Sequence, residues 1–198
     1  MPRWKPNPAE RLVEAALDLF AERGYENTTV IDIAGRAGLG KTTFFRHFPD
    51  KREVLFGGGI VDELLAEAIT SASSAATDLE AVAQALDAVG QEVFTSARRE
   101  FVARRQAVIL ANPELQEREA LKNDRLITTI SEALKRRGAS DVSARVAAQL
   151  GSVTSAIAFE RWIQGSVEDD YGRKAREVLA EVQSAMPLIS KAETQAPD

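Results

Sequence analysis

Between Lys41 and Lys51 the sequence crowds three cations, two hydroxyls and its single histidine into one stretch, the chemistry of a surface that meets phosphate. The same stretch overlaps Gly35-Arg-Ala-Gly-Leu-Gly40-Lys41-Thr42, which fits the phosphate-loop pattern G-x-x-x-x-G-K-[ST]. In that reading backbone N–H groups cradle the phosphates of ATP or GTP, Lys41 reaches the terminal phosphates and Thr42 meets magnesium. The loop needs a buried strand before it, a parallel sheet around it and a downstream carboxylate for the metal. Val30-Ile31-Asp32-Ile33 could pass as the strand, but no further strands follow and no apolar strand ends in aspartate, since Ile60-Val61-Asp62 lies in a helical pattern. Other chemistries find little material. A chain without cysteine has no disulfide, thiolate ligand or thiol nucleophile, and His47 alone makes neither a metal cluster nor a triad. The paired Asp169 and Asp170 read as helix caps rather than as acid/base machinery.

The elements that must position these groups are helical throughout. Apolar residues recur at three and four positions, and no run shows strand alternation. Asn7 caps a first helix with Pro8 in its first turn and Glu10 reaching back, Leu12, Ala16 and Phe20 form its buried stripe, and Gly24 ends it. Thr29 and Asp32 open a second, short helix through Arg36. Gly38 makes a turn, and a third helix runs from about Lys41 to Phe48, where Pro49 stops it. Ala34 and Ala37 are small enough to let these two helices cross closely. With Phe44 and Phe48 inward, Lys41, Thr42, Thr43, Phe45, Arg46 and His47 are left pointing out, on a helix narrow enough for the DNA major groove. Asp50-x-x-Glu53 has capping-box spacing and predicts a longer helix through about Ala72, with Lys51 in its first turn near a phosphate. Gly57-Gly58-Gly59 would then kink or hinge that helix. Helices follow over about 78–96, 98–111, 114–137, 142–164 and 170–189, with Gly138 and Gly165 as terminating glycines. A polar tail from Ser190 is expected to fray.

The run Gly24–Leu55, GYENTTVIDIAGRAGLGKTTFFRHFPDKREVL, resembles the N-terminal domain of TetR-family regulators over about residues 8–56. Farther along, FERWIQGSVEDD (159–170) is similar to the Trp-ending helix, loop and final helix common in that family. The resemblance implies backbone-phosphate contacts from Thr28 and Thr29. It implies base or phosphate contacts from Lys41, Thr42 and Thr43, and phosphate contacts from His47 and Lys51. Two departures stand out: Phe45 occupies a position where the family usually has tyrosine, and Gly40 one where a capping serine is common. The resemblance further implies a small-molecule effector pocket, with Phe94, Phe101, Val108, Phe159 and Trp162 as candidate lining that serves equally well as plain core. It also implies that the last two helices pair with a second copy. The stripe Val142, Val146, Leu150, Val153 and Ile157, set among alanines and glycine, and the apolar face of the last helix offer more apolar flank than one chain can cover.

Charge is divided along the chain in the same sense. Residues 1–52 hold nine lysines and arginines against seven acids, a net of +2, whereas the whole chain is at −5. A basic head on an acidic body suits a protein of which one end meets nucleic acid. The arginine groups 98–99, 104–105 and 136–137 read as solvated faces, and Trp4 as part of a basic arm. That arm lacks the apolar core of a secretory signal, and no run is long enough to span a membrane. Together with the missing cysteines this points to the cytoplasm.

The expectation is therefore an all-α chain. A three-helix helix-turn-helix DNA-binding domain covers 1–50, a larger helical effector-binding and dimerisation domain covers 51–189, and a flexible tail covers 190–198. Its partners would be double-stranded DNA, an effector and a second copy, with no membrane, metal, cofactor or catalytic residue. A nucleotide hydrolase and a helical scaffold without DNA binding are the competing classes. The first predicts magnesium-dependent turnover and the second neither activity.

Overall fold

The computed structural model describes residues 7–57, 59–166 and 168–190. The basic arm with Trp4, the central glycine of the 57–59 run, and residues 191–198 of the expected tail lie outside the described residues, as does the side chain of Ile189. Among the described residues every regular element is helical: α1 (Pro8–Arg23), α2 (Val30–Arg36), α3 (Lys41–His47), a 3-10 turn (Arg52–Leu55), α4 (Ile60–Ser71), α5 (Asp78–Glu92), a second 3-10 turn (Ser96–Arg98), α6 (Arg99–Leu110), α7 (Pro113–Arg136), α8 (Asp141–Gln164) and α9 (Tyr171–Ser190). None of these helices is long and apolar enough to cross a membrane.

The chain forms two compact units. The first comprises residues 1–58 and 101–121, the second 59–100 and 122–198. A division of the chain at residue 50 thus differs from the division by contacts, which returns most of α6 and the start of α7 to the first unit.

In the first unit, α1 begins as its sequence dictates. The Asn7 side chain accepts from the Glu10 N–H at 2.9 Å while the Glu10 carboxylate accepts from the Asn7 N–H at 3.1 Å. Leu12, Ala16, Leu17 and Phe20 face a core shared with Ile33, Ala34, Phe44 and Phe48, and Ile109 and Leu115 complete it from the second segment. Each such aliphatic or aromatic burial is worth about 1.5–3 kcal/mol.

The long helix expected through residues 50–72 does not form. Asp50 does cap a turn, accepting from the N–H groups of Arg52 and Glu53 at 2.8 and 3.0 Å, but the turn is 3-10 and closes at Leu55. A separate α4 starts at Ile60. Gly57 has a packing reason to be glycine: a Cβ there would lie 2.8 Å from the Phe48 ring.

In the second unit α5 packs against α4, α8 and α9, and α8 packs against α9. Small residues set these approaches. A Cβ on Gly151 would sit 2.7 Å from Val82, and one on Gly90 would sit 2.9 Å from the Gly172 backbone. Gly138 ends α7 at φ +101°, while Gly165 closes α8 in ordinary extended backbone rather than at positive φ. Asp170 caps the start of α9 through the Arg173 N–H at 2.7 Å.

Of the six arginines expected on solvated faces, Arg98, Arg104 and Arg136 are exposed, whereas the other three are structural. Arg137 donates to the carbonyls of Ile69, Ala72, Ser73 and Ala76, closing the 72–76 loop. Arg105 donates to Leu55 O at 2.7 Å and pairs with Glu119, and Arg99 is buried. Long cationic side chains can line an interior wherever carbonyls or carboxylates receive the head group.

Candidate nucleic-acid interface

The α2–turn–α3 unit is built from local signals. Thr29 and Asp32 form a reciprocal box: the Asp32 N–H donates to the Thr29 hydroxyl oxygen at 3.2 Å, and that hydroxyl donates to the carboxylate at 2.6 Å. The hydroxyl bond, followed by the Thr29 N–H, holds the Asp32 carboxyl below its ordinary range. Gly38 turns the chain at φ +66°, a region favourable only to glycine, and the Leu39 N–H returns to Ala34 O at 2.8 Å. The Arg11 guanidinium reaches across from α1 to the Ala37 carbonyl and so satisfies an end of α2 that would otherwise lack a donor. The next helix starts at Gly40 without a side-chain cap, as the missing serine predicts.

Phe44 is fully buried and Phe48 nearly so, and this fixes the roll of α3 about its axis. Lys41, Thr42, Arg46 and His47 consequently lie exposed, Thr43 is half-buried, and the Phe45 ring is 47% exposed. Lys41 Nζ stands 5.7 Å from the centre of that ring. Phe45 thus presents an apolar plate beside two cations.

No acidic residue occurs between Asp32 and Asp50. Among the described residues nearby arginines are engaged: Arg23 with Asp32 at 3.3 Å, Arg36 with Glu22 through two bonds of 2.9 and 2.6 Å, and Arg52 with Asp50 and Glu114. Among the described residues Lys41 and Arg46 have no ion pair. Their full charge is therefore available to a polyanion, and only one short helix presents it. Lys51 is held in place, its Nζ donating to Tyr25 O at 2.9 Å and lying 3.9 Å over the Tyr25 ring, with two further N–H groups to offer.

Thr29 is exposed but its hydroxyl serves the box with Asp32. Thr28 is not on this surface. It is 1% exposed and its hydroxyl donates to Gly24 O at 2.9 Å, so its side chain closes the α1–α2 turn instead of facing outward. The phosphate-loop alternative also fails here, because Val30–Ile33 is helix and Gly35 lies within α2. Its glycines and alanines belong to the turn and the close helix crossing.

The expected effector-lining residues divide between the two units. Phe101 and Val108 pack against the core of the first. Phe94, Phe159 and Trp162 cluster in the second with Tyr171, a neighbour the sequence pattern did not single out, at ring separations of 4.7 to 6.3 Å. Trp162 and Tyr171 are wholly buried, whereas Phe94 and Phe159 are half-buried. The Arg99 guanidinium lies 4.8 Å from the Trp162 ring centre.

Comparison with known proteins places these features in context. Residues 12–56 match the family model for bacterial regulatory proteins, tetR family. The HTH-type transcriptional repressor Rv3405c of Mycobacterium tuberculosis is 39% identical over 64 residues, 32% of this chain and 33% of that protein. The regulator TcmR of Streptomyces glaucescens is 38% identical over 81 residues, 40% of this chain and 36% of its own. The matched segments thus span about a third of these relatives. Among solved structures, the SmeT–triclosan complex aligns with 91% of this chain and 91% of its own at TM-score 0.59 and 20% identity. Thermus thermophilus FadR with lauroyl-CoA aligns with 96% of this chain and 98% of its own at TM-score 0.50 and 21% identity. At such identities the likeness speaks for the all-helical fold.

Proposed function

Residues 12–56 match the family model for bacterial regulatory proteins, tetR family, and on that match we propose that the chain is a transcriptional regulator whose helix α3 reads duplex DNA. One observation carries the reading. The exposed face of α3 combines Lys41, Thr42, Thr43, Arg46 and His47 with no acid, and among the described residues its two cations have no carboxylate partner. In this reading Lys41 and Arg46 meet phosphates or base edges, Thr42 and Thr43 contact bases or thymine methyls, and Lys51 and His47 clamp the backbone. Phe45 packs on the sugar–phosphate chain without contributing a hydrogen bond.

A second copy of this chain completes the regulator. Val142 (72% exposed), Val146 and Val153 on α8 and Met186 on α9 form an uncovered apolar face. They border an open groove of about 590 Å³ that Leu79, Val146, Leu150 and Met186 help to line. Pairing two such faces buries it and sets two α3 helices on half-sites roughly 34 Å apart. A small-molecule effector of the body then releases the DNA to the extent that it binds one head spacing better than the other. The names of the relatives, and the lauroyl-CoA and triclosan carried by two proteins of the same fold, favour effector-relieved repression in the cytoplasm over catalysis. The link at Gly57–Gly59 is the proposed hinge.

Selection of the protein against a random duplex library, with Lys41→Ala/Thr43→Ala in parallel, tests this. Enrichment of a palindrome by the wild type alone is the expected result. No enrichment at any salt concentration overturns the reading.

A further inference from the structure

Arg99 is 91% buried, and no carboxylate among the described residues pairs with it. Its Nη2 donates to Asp169 O at 2.6 Å, but Nε and Nη1 have no acceptor among the described residues. The Asp169 carboxylate itself is taken by the Ser166 N–H, Arg173 and Lys174. One carbonyl and the Trp162 face, 4.8 Å away, are meagre compensation for a guanidinium in an apolar setting. Directly beside it, the Trp162 indole N–H is buried without an acceptor as well. Two buried donor groups, one of them a guanidinium, therefore lie in the Phe94, Phe159 and Trp162 cluster without an acceptor, and a carboxylate could serve both.

We propose that this is the effector site of the regulator and that its ligand is a small organic carboxylate with a flat apolar body. The acid group binds Arg99 and the indole N–H, and the body replaces Phe94 against Phe159 and Trp162. Phe94 is the movable cover. It is half-buried and sits between the end of α5 and the 96–98 turn; its N–H donates to Val89 O of α5 at 3.2 Å, a backbone bond that rotation of the side chain leaves in place. The inference deepens the regulator reading and rests on it, yet the binding event is measurable without DNA.

Trp4 and Trp162 are the two tryptophans of the chain, so a Trp4→Phe background leaves Trp162 as the sole reporter. Its fluorescence, excited at the red edge of the indole band, is followed while benzoate and phenylacetate are titrated to millimolar concentration, each against its neutral amide. Saturable change with at least one acid is expected, weakened about tenfold or more with the matching amide, as a lost charge-assisted hydrogen bond predicts. Arg99→Gln should lose the preference for the acid, and Arg99→Lys should keep part of it. The wild-type comparison of acid and amide requires no variant and so survives a folding defect in either. Equal response to acid and amide, undiminished acid binding by folded Arg99→Gln, or no response to any acid overturns the proposal. Duplex affinity measured on the same samples separates the outcomes: a protein that binds DNA but ignores acids has lost only this inference, and one that binds acids but no DNA has lost the regulator reading.

Discussion

The Glu53–Arg118 pair can be used to weigh the attachment of residues 101–121 to the helix-turn-helix. Arg118 donates to Glu53 through Nε and through Nη2, the latter at 3.0 Å, and the two side chains are 16% and 21% exposed. The bond to Glu53 raises the already high pKa of Arg118, so the guanidinium keeps its charge at every ordinary pH. Arg118 and Arg105 each stand 5.1 Å from the centre of the Phe56 ring. Exposed pairs contribute about 0–1 kcal/mol, and breaking a fully buried one costs about 3–5 kcal/mol. At a fifth exposure, with bidentate geometry, Glu53→Gln should cost about 2 kcal/mol. Arg118→Met, which keeps the stem on Phe56, should cost somewhat less, and the double variant little more than either alone. Urea unfolding followed by circular dichroism gives the coupling energy, expected at about 1.5 kcal/mol. Additive losses, with coupling under about 0.5 kcal/mol, would refute the argument that this pair fastens the segment.

Two other outcomes follow from the same coordinates. Gly57→Ala drives a methyl group into the Phe48 ring and should destabilise by about 1–3 kcal/mol, whereas Gly59→Ala, whose nearest neighbour would be Asp62 at 4.0 Å, should be close to neutral in the same denaturation assay. Burial pushes the Tyr171 hydroxyl up to about 12, and burial followed by the Glu114 and Asp50 charges raises Tyr25 as well. A raised folded-state pKa means that this stabilisation is complete below the unfolded value near 10 and is lost as pH climbs through 12. Near pH 10 the unfolded chain should therefore show half its phenolate absorbance and the folded chain almost none; equal absorbance would contradict the packing of both rings.

Legibility in the sequence followed the range of the interactions. The boxes at Asn7–Glu10 and Thr29–Asp32, the glycine turn at 38 and the inward pair Phe44 and Phe48 are decided within a few residues, and the outward face of α3 follows from them. Long-range contacts overrode local signals elsewhere. Asp50-x-x-Glu53 has the spacing of a helix start, but Glu53 turns to Arg118, sixty-five positions away, and the helix stops after one 3-10 turn. Thr28 resembles a surface hydroxyl in sequence and is claimed by Gly24 O. Hydropathy places Arg99, Arg105 and Arg137 outside; only the positions of Asp169 O, Leu55 O and the 72–76 carbonyls explain them inside. For Arg137 a faint signal existed, since a short loop of small residues has carbonyls that need a donor.

The central claim is that α3 meets DNA through the cations that no carboxylate engages, and the salt dependence of duplex affinity tests it most directly. On a duplex selected by the wild type, each phosphate contact contributes about −0.9 to the slope of log K against log salt. Lys41→Ala and Arg46→Ala should each weaken binding and, where the contact is to phosphate, flatten the slope by about one, whereas Arg36→Ala, whose guanidinium is paired with Glu22, should leave both unchanged. Wild-type affinity and slope in both α3 variants, or an equal loss in Arg36→Ala, would contradict the account.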